Sequence, residues 1–239
     1  MQKLSICVPT YNEAYNIKGL LDGVELAAKS LDNYQINVII IDDNSPDHTA
    51  EIAQNYAKSL TKVSVDIISN PSKLGLANAY KKGFEYCLST ETDYILQMDA
   101  DLSHNPIYIP DFLEKVQRVD FVIGTRYIKG GGTKDWDFKR KLISKLGNFY
   151  TNLVLGTGLH DVTGGFNMYK SDTLRQIDLK EIKSNGFAFQ IEVKYKLIKL
   201  GMHYAETAIV FAERLKGKSK INQKIIKEGL VIPWKLRFM

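Results

Sequence analysis

Two cysteines, Cys7 and Cys87, are all that the 239 residues contain, and neither has a companion at metal-ligand spacing. So sparse a set offers no disulfide framework and suits buried thiols in a reducing compartment. No run approaches the roughly 20 apolar residues of a membrane-spanning helix. The opening "MQKLSICVPTYNE" turns polar after a few residues and does not read as a secretory leader. The expectation is a protein on the cytoplasmic side whose membrane contact is peripheral. Neither a P-loop nor G-x-G-x-x-G occurs, so a nucleotide is not held in either of those ways. The basic-aromatic modules of nucleic-acid binders are missing too, and nucleic acid is not an expected partner. Neither sign of charge dominates: 32 Lys and Arg against 27 Asp and Glu leave +5. That balance fits an anionic ligand or a membrane surface but does not require one.

What is present is an alternation of strand-like and helical patterns. "KLSICVPTY", "QINVIIIDDNSPD", "VSVDIIS", "DYILQMDAD" and "DFVIGTRY" read as strands. The second is a continuous β-branched run, the mark of a strand buried on both faces. Between them lie helical stretches: "NEAYNIKGLLDGVELAAKSL", "HTAEIAQNYAKSL" with Asp47 as its N-cap, "LGLANAYKKGFEYCLS" and "IPDFLEKVQ". Such alternation predicts an α/β fold with a mostly parallel, doubly wound sheet, whose ligands bind beyond the carboxyl ends of the strands. Residues 1–128 are expected to form the nucleotide-binding core, and 129–220 a second part of the same domain. Residues 221–239 form a basic, apolar tail. Within 138–155, Phe138, Leu142, Ile143, Leu146, Phe149, Tyr150 and Leu153 form an apolar stripe opposite Lys139, Arg140, Lys141 and Lys145.

Polar residues collect at the expected strand ends. Asp99 and Asp101 are two like charges that repel unless a divalent cation such as Mg2+ or Mn2+ lies between them and a diphosphate. Asp42 and Asp43 could accept from a base or ribose. Tyr11 could stack on a base and Glu13 accept from one, in a segment "PTYNE" that opens a helix. Arg126 is poised for phosphate recognition, the bland alternative being an ion pair with Asp99 or Asp101. Arg140 and Ser144 lie one helical turn apart. The "ERLKGKSK" loop, Glu213 to Lys220, packs four cations that could close over a diphosphate. The four histidines are scattered, and none is assigned a role.

In this order, "VPTYNE", "IDDNSPD", "LGLANAY", "MDADLSHNP", "GTRYIKGG", "WDFKRKLISKLGN", "DVTGGFNMY", "GFAFQIE" and "ERLKGKSK" resemble the dolichol-phosphate (polyprenol-phosphate) mannose synthases among the GT-A family 2 glycosyltransferases. The resemblance covers nearly the whole chain. It implies a guanosine pocket lined by Pro9, Tyr11, Glu13, Ile41 and Asp43. It implies a divalent metal on Asp99 and Asp101, with Ala100 between them beside the donor diphosphate. Arg126, Arg140 and Ser144 would receive the acceptor phosphate, and Arg214 and Lys220 would lie over the donor phosphates. Asp101, Arg126, Arg140 and Ser144 would then carry the chemistry. The implied reaction moves mannose from GDP-mannose to dolichyl (polyprenyl) phosphate with inversion, at a membrane surface and with room for a membrane-anchoring subunit. Another sugar nucleotide, or a non-catalytic nucleotide-binding module, stays open. The chain departs from the pattern at His48, at Ala77, and at Asn167, where an arginine is frequent.

Overall fold

The computed structural model describes residues 1–213 and 223–238. In chain order its elements are β1 (Gln2–Thr10), α1 (Ile17–Ala28), β2 (Tyr34–Asp42), α2 (Thr49–Ala57), β3 (Val63–Ser69), α3 (Leu76–Ser89), β4 (Tyr94–Gln97), α4 (Ile109–Val116) and β5 (Phe121–Thr125). There follow β6 (Gly132–Thr133), α5 (Phe138–Leu155), β7 (Asn167–Lys170), α6 (Ser171–Leu174), α7 (Ala188–Lys199), β8 (Tyr204–Ala208), β9 (Val210–Phe211) and α8 (Gln223–Arg237).

Seven strands form one sheet in the order β3-β2-β1-β4-β7-β5-β8, and β6 pairs with β9 apart from it. The pairs β1–β2, β1–β4, β2–β3 and β5–β8 are parallel; β7 runs antiparallel to both neighbours. The stretch after residue 128 therefore feeds β7 and β8 into the same sheet and adds the short β6–β9 pair apart from it. The two-sided burial read in the second strand is present: Val38 and Ile40 point into one core, Ile39 and Ile41 into the other. Gly75 opens α3 at φ 89°, a conformation that favours glycine.

Two local expectations need correction. Helix α1 starts at Ile17, so "PTYNE" does not open it; the amides of Asn16 and Ile17 both bond back to the Glu13 carbonyl, closing a turn instead. The N-cap of α2 is His48, in the left-handed conformation at φ 62°, not Asp47. Asp47 still satisfies that helix end, accepting from the Thr49 amide and hydroxyl, and its other oxygen takes the Ala14 amide. With Ser45 Oγ on the Asn12 amide and Thr49 Oγ1 on the Glu13 amide, three consecutive donors of the first loop are bound by the second.

The apolar stripe of α5 faces outward. Phe149 and Leu153 are 67% and 69% exposed, while Asn148, Thr151, Val154 and Leu155 turn inward. Helix α8 packs against α5, where Tyr150 Oη donates to the Leu230 carbonyl and Trp234 Nε1 to Tyr150 Oη. Trp234 and Phe238 also lie open to solvent. No described helix is long and apolar enough to cross a membrane.

Candidate active site

The carboxyl ends of β1, β2 and β4 lie side by side, which brings Thr10 to Glu13, Asp42–Asp43 and Asp99–Asp101 to one edge. Arg126 follows β5, separated from β4 by the antiparallel β7.

On the β1–β2 side the carboxylates are built into the protein. Asp42 accepts from Thr10 Oγ1, Ser45 N and Ser45 Oγ at 2.8, 2.8 and 2.6 Å. Asp43 accepts from Asn70 Nδ2, Leu74 N and Gly75 N at 2.8, 3.1 and 2.8 Å, so it shapes the turn that opens α3. Tyr11 stands at the surface with Lys73 Nζ 3.7 Å above its ring. Glu13 takes the Asn16 amide at 2.7 Å. Ile41 has no exposed surface: its side chain fills the core where Gly83 lets α3 approach the sheet. Ala100 is likewise a core residue, 3% exposed. Pro9 is half-buried, opposite Ile41 in the β1–β2 register.

Asp99 is held from two directions. Tyr80 Oη donates to its Oδ1 at 2.8 Å, and its own amide donates to His104 Nδ1 at 3.0 Å. Burial, followed by the Asp99 charge, pushes the Tyr80 hydroxyl pKa up, so it stays a donor. The tyrosine ring stacks on Phe189 and the imidazole on Phe166. Asp101 Oδ1 accepts from Ser103 N and Oγ at 3.1 and 2.5 Å. Two carboxylates of one short loop, both oriented by hydrogen bonds, form a hard oxygen donor set that fits Mg2+ or Mn2+ completed by phosphate and water. Among the described residues no third His, Cys, Asp or Glu joins them.

Arg126 pairs with neither Asp99 nor Asp101. Its Nε and Nη2 bond both oxygens of Asp161 at 2.7 and 2.8 Å, and Nη2 also reaches Thr163 Oγ1. Burial opposes charge on both groups, but each partner outweighs it: the Asp161 carboxyl is held below its usual range and the guanidinium above. Beneath them lies Lys194, fully buried, its Nζ donating to the carbonyls of Asp161 and Gly164. Asn167, standing where an arginine is frequent, donates to Gln97 Oε1 and to the Gly164 carbonyl, which also takes Lys194 Nζ.

Burial pushes Lys194 down to about 7 against an unfolded value near 10.5. Between those values the unfolded chain holds the proton and the folded one does not, so raising pH favours folding. The free energy of unfolding should rise by up to about 1.4 kcal/mol per pH unit across that window. Chemical denaturation from pH 7 to 9 checks this, and Lys194→Met should flatten the slope; an equal slope in both would remove the lysine as its source.

The residues expected to meet an acceptor phosphate do assemble. The Arg140 guanidinium carbon lies 4.0 Å from the centre of the Trp136 ring and that of Arg126 5.6 Å from it. Arg140 Nη1 also pairs with Glu213 at 2.9 Å. Ser144 Oγ hydrogen-bonds Tyr127 Oη at 2.7 Å, beside Arg126. Phe211 links the two halves of the site, touching the ring of His104 on one side and that of Trp136 on the other. Arg214 and Lys220 lie outside the described residues. Tyr80, His104, Trp136, Asp161 and Lys194 were not read from sequence as site residues. Asp161 stands just before "TGGF" and His104 inside "DADLSHNP", so their places in the motifs were the available signal.

The chain is similar to an undecaprenyl-phosphate mannosyltransferase of Micrococcus luteus, 38% identical over 97% of this chain and 92% of the relative. It is also similar to a polyprenol monophosphomannose synthase of Mycolicibacterium smegmatis, 34% identical over 99% and 88%. In fold it matches crystal structures of glucosyl-3-phosphoglycerate synthase from Mycobacterium tuberculosis. One holds phosphoglyceric acid (TM-score 0.68, 13% identity, 100% of this chain and 81% of that one). Another holds Mn2+ and UDP-glucose (TM-score 0.66, 15% identity, 98% and 78%). The sheet is that of the GT-A fold. The family model for "Glycosyl transferase family 2" matches residues 5–178, and the chain belongs to that family.

Proposed function

We propose that the protein transfers mannose from GDP-mannose to dolichyl or another polyprenyl phosphate, with inversion at the anomeric carbon. Both similar relatives carry the names of mannose transfer to a polyprenyl phosphate. The observation that carries the reading is the pair of guanidiniums, Arg126 and Arg140, gathered on Trp136. Asp161 and Glu213 are each ion-paired to one of the two, and Asp137 caps α5 by accepting from the Arg140 amide. A hydroxyl acceptor needs a base; a phosphate monoester, with its second pKa near 6, is already an anion at neutral pH. The site then has to bring two anions together, a positioning and electrostatic task. Arg126, Arg140 and Ser144 receive and orient the acceptor phosphate. Pro9, Tyr11, Glu13 and Asp43 border the nucleoside, and Arg214 and Lys220 serve the donor phosphates. Displacement from the face opposite the leaving GDP turns an α-linked donor into a β-linked product.

Asp99 and Asp101 would hold a divalent cation, Mn2+ or Mg2+; bound there, it offsets the charge that develops on the leaving diphosphate. The chain's own part is to aim Asp99 through Tyr80 and His104. Tyr80→Phe keeps the ring stack and deletes the hydrogen bond, and Mn2+ affinity measured by electron paramagnetic resonance with GDP present should fall about tenfold or more. Unchanged affinity would leave the hydroxyl a packing role only.

The lipid stays in a membrane, and the outward apolar faces of α5 and α8, flanked by Lys139, Lys141 and Lys145, suit peripheral attachment. A membrane-anchoring subunit could add to it. Free thiols at Cys7 and Cys87, their sulfurs 3.3 Å apart, support the cytoplasmic side in this reading. Phe149→Glu with Leu153→Glu should abolish flotation with anionic liposomes; undiminished flotation would take the α5 face out of the attachment.

The test of the reaction offers the purified protein GDP-mannose, UDP-glucose or GDP-fucose with a short polyprenyl phosphate. GDP release from GDP-mannose alone, dependent on the lipid phosphate, is the expected result. Preferred release from another donor would move the assignment to that sugar, and release from none would end it.

A further inference from the structure

Two buried hydrogen-bond donors at the acceptor side, Trp136 Nε1 and Arg140 Nε, have no acceptor among the described residues. Trp136 is 8% exposed, and an indole N–H is a donor only. Buried tryptophan N–H groups normally find an acceptor, and an orphan calls for a reason. Here the two orphans share one place: the Arg140 guanidinium lies over the Trp136 ring, with Arg126 on the same ring and Phe211 against it edge-on. The carboxylates near them are engaged elsewhere, since Asp161 takes Arg126 and Glu213 takes Nη1 of Arg140. A cluster of donors and cations short of acceptors is completed by an oxyanion. Cation–π attraction to the ring helps hold the two guanidiniums close to one another.

We infer that Trp136 is an acceptor-binding residue: its indole N–H donates to a phosphate monoester, and its ring carries Arg140 into reach of the same group. This rests on the transfer to a lipid phosphate proposed above. The chain has two tryptophans, so Trp234→Phe leaves Trp136 as the only indole and makes its emission a direct reporter. Full-length Trp234→Phe protein is titrated with a short polyprenyl phosphate, the matching alcohol, inorganic phosphate, and GDP with Mn2+. The expected result is a saturable emission shift with the lipid phosphate and none with the alcohol. A shift with inorganic phosphate at the same concentration would assign recognition to the anion alone, and a shift with the lipid phosphate only would assign it to the anion with its chain. A shift driven by GDP and absent with both phosphates would overturn the inference. In the same background Trp136→Phe, which keeps a ring under Arg140, should raise the acceptor KM about ten- to a hundredfold, the worth of one hydrogen bond to a charged group, with GDP affinity unchanged. An unchanged KM in a folded variant would also overturn it. If the parent protein transfers mannose to the lipid phosphate while Trp136 responds to nothing, only this inference falls. If the parent transfers nothing to it, the reading it rests on falls first.

Discussion

Asp101→Ala lowers sugar transfer by about 10²-fold or more, the scale of losing a preorganised charge that stabilises the transition state. Asp101 also binds Ser103 N and Oγ, so alanine loosens the loop as well as removing the charge. Asp101→Asn separates the two effects, because the amide oxygen can still accept from Ser103 while the negative charge is gone. Both variants are expected to stay folded, to lose Mn2+ binding, and to retain no more than a small residual rate at saturating metal. Chelation of the wild type should reproduce the loss, and added Mn2+ or Mg2+ should restore it. Near-normal turnover of Asp101→Asn, or transfer that persists in chelator, would refute the metal assignment.

Asp161→Ala is the second large effect, and it falls on stability first. The Arg126–Asp161 pair is almost fully buried, 8% and 0% exposed at the side chains. Removing one member leaves the other charge buried and uncompensated, which costs about 3–5 kcal/mol. For a domain of this size that lowers Tm by about 10 °C. Arg126→Ala meets the same penalty from the other side and strands Asp161 with Lys194 alone, so its loss of acceptor use mixes folding with chemistry. The double variant Arg126→Met with Asp161→Leu removes both charges; well-packed apolar replacements of a buried pair are often neutral. The double variant should regain most of the Tm and still fail to use the lipid phosphate, with GDP binding kept. Recovery of acceptor use along with stability would reduce Arg126 to a structural cation.

Both predictions turn on pairings of different legibility. The neighbouring carboxylates of "DADLSHNP" could be read in sequence because two residues apart in a strand-end loop means close in space. Arg126 and Asp161 lie 35 positions apart, and nothing local to "GTRY" says which acid it meets. The bland alternative placed that acid at Asp99 or Asp101. The antiparallel β7, entering between β4 and β5, instead sets Arg126 apart from them and brings Asp161 up against it. Ile41 shows a second limit: its motif position points to a pocket wall, while strand alternation and the close approach at Gly83 turn its side chain into the core.

The sequence by itself determined the α/β alternation, the two-faced burial of β2, the edge at which Asp99 and Asp101 gather, and the amphipathic character of 138–155. Each of these follows from residue spacing along a strand or helix of known period, a property of neighbours in the chain. The tertiary structure alone decided that the apolar stripe of α5 faces outward, that Tyr80 and His104 grip Asp99, that Lys194 is buried beneath Asp161 and bonds the Gly164 carbonyl, and that two guanidiniums share the ring of Trp136. Those contacts join segments that meet only when the sheet order is set, and sheet order is fixed by packing summed over the whole core.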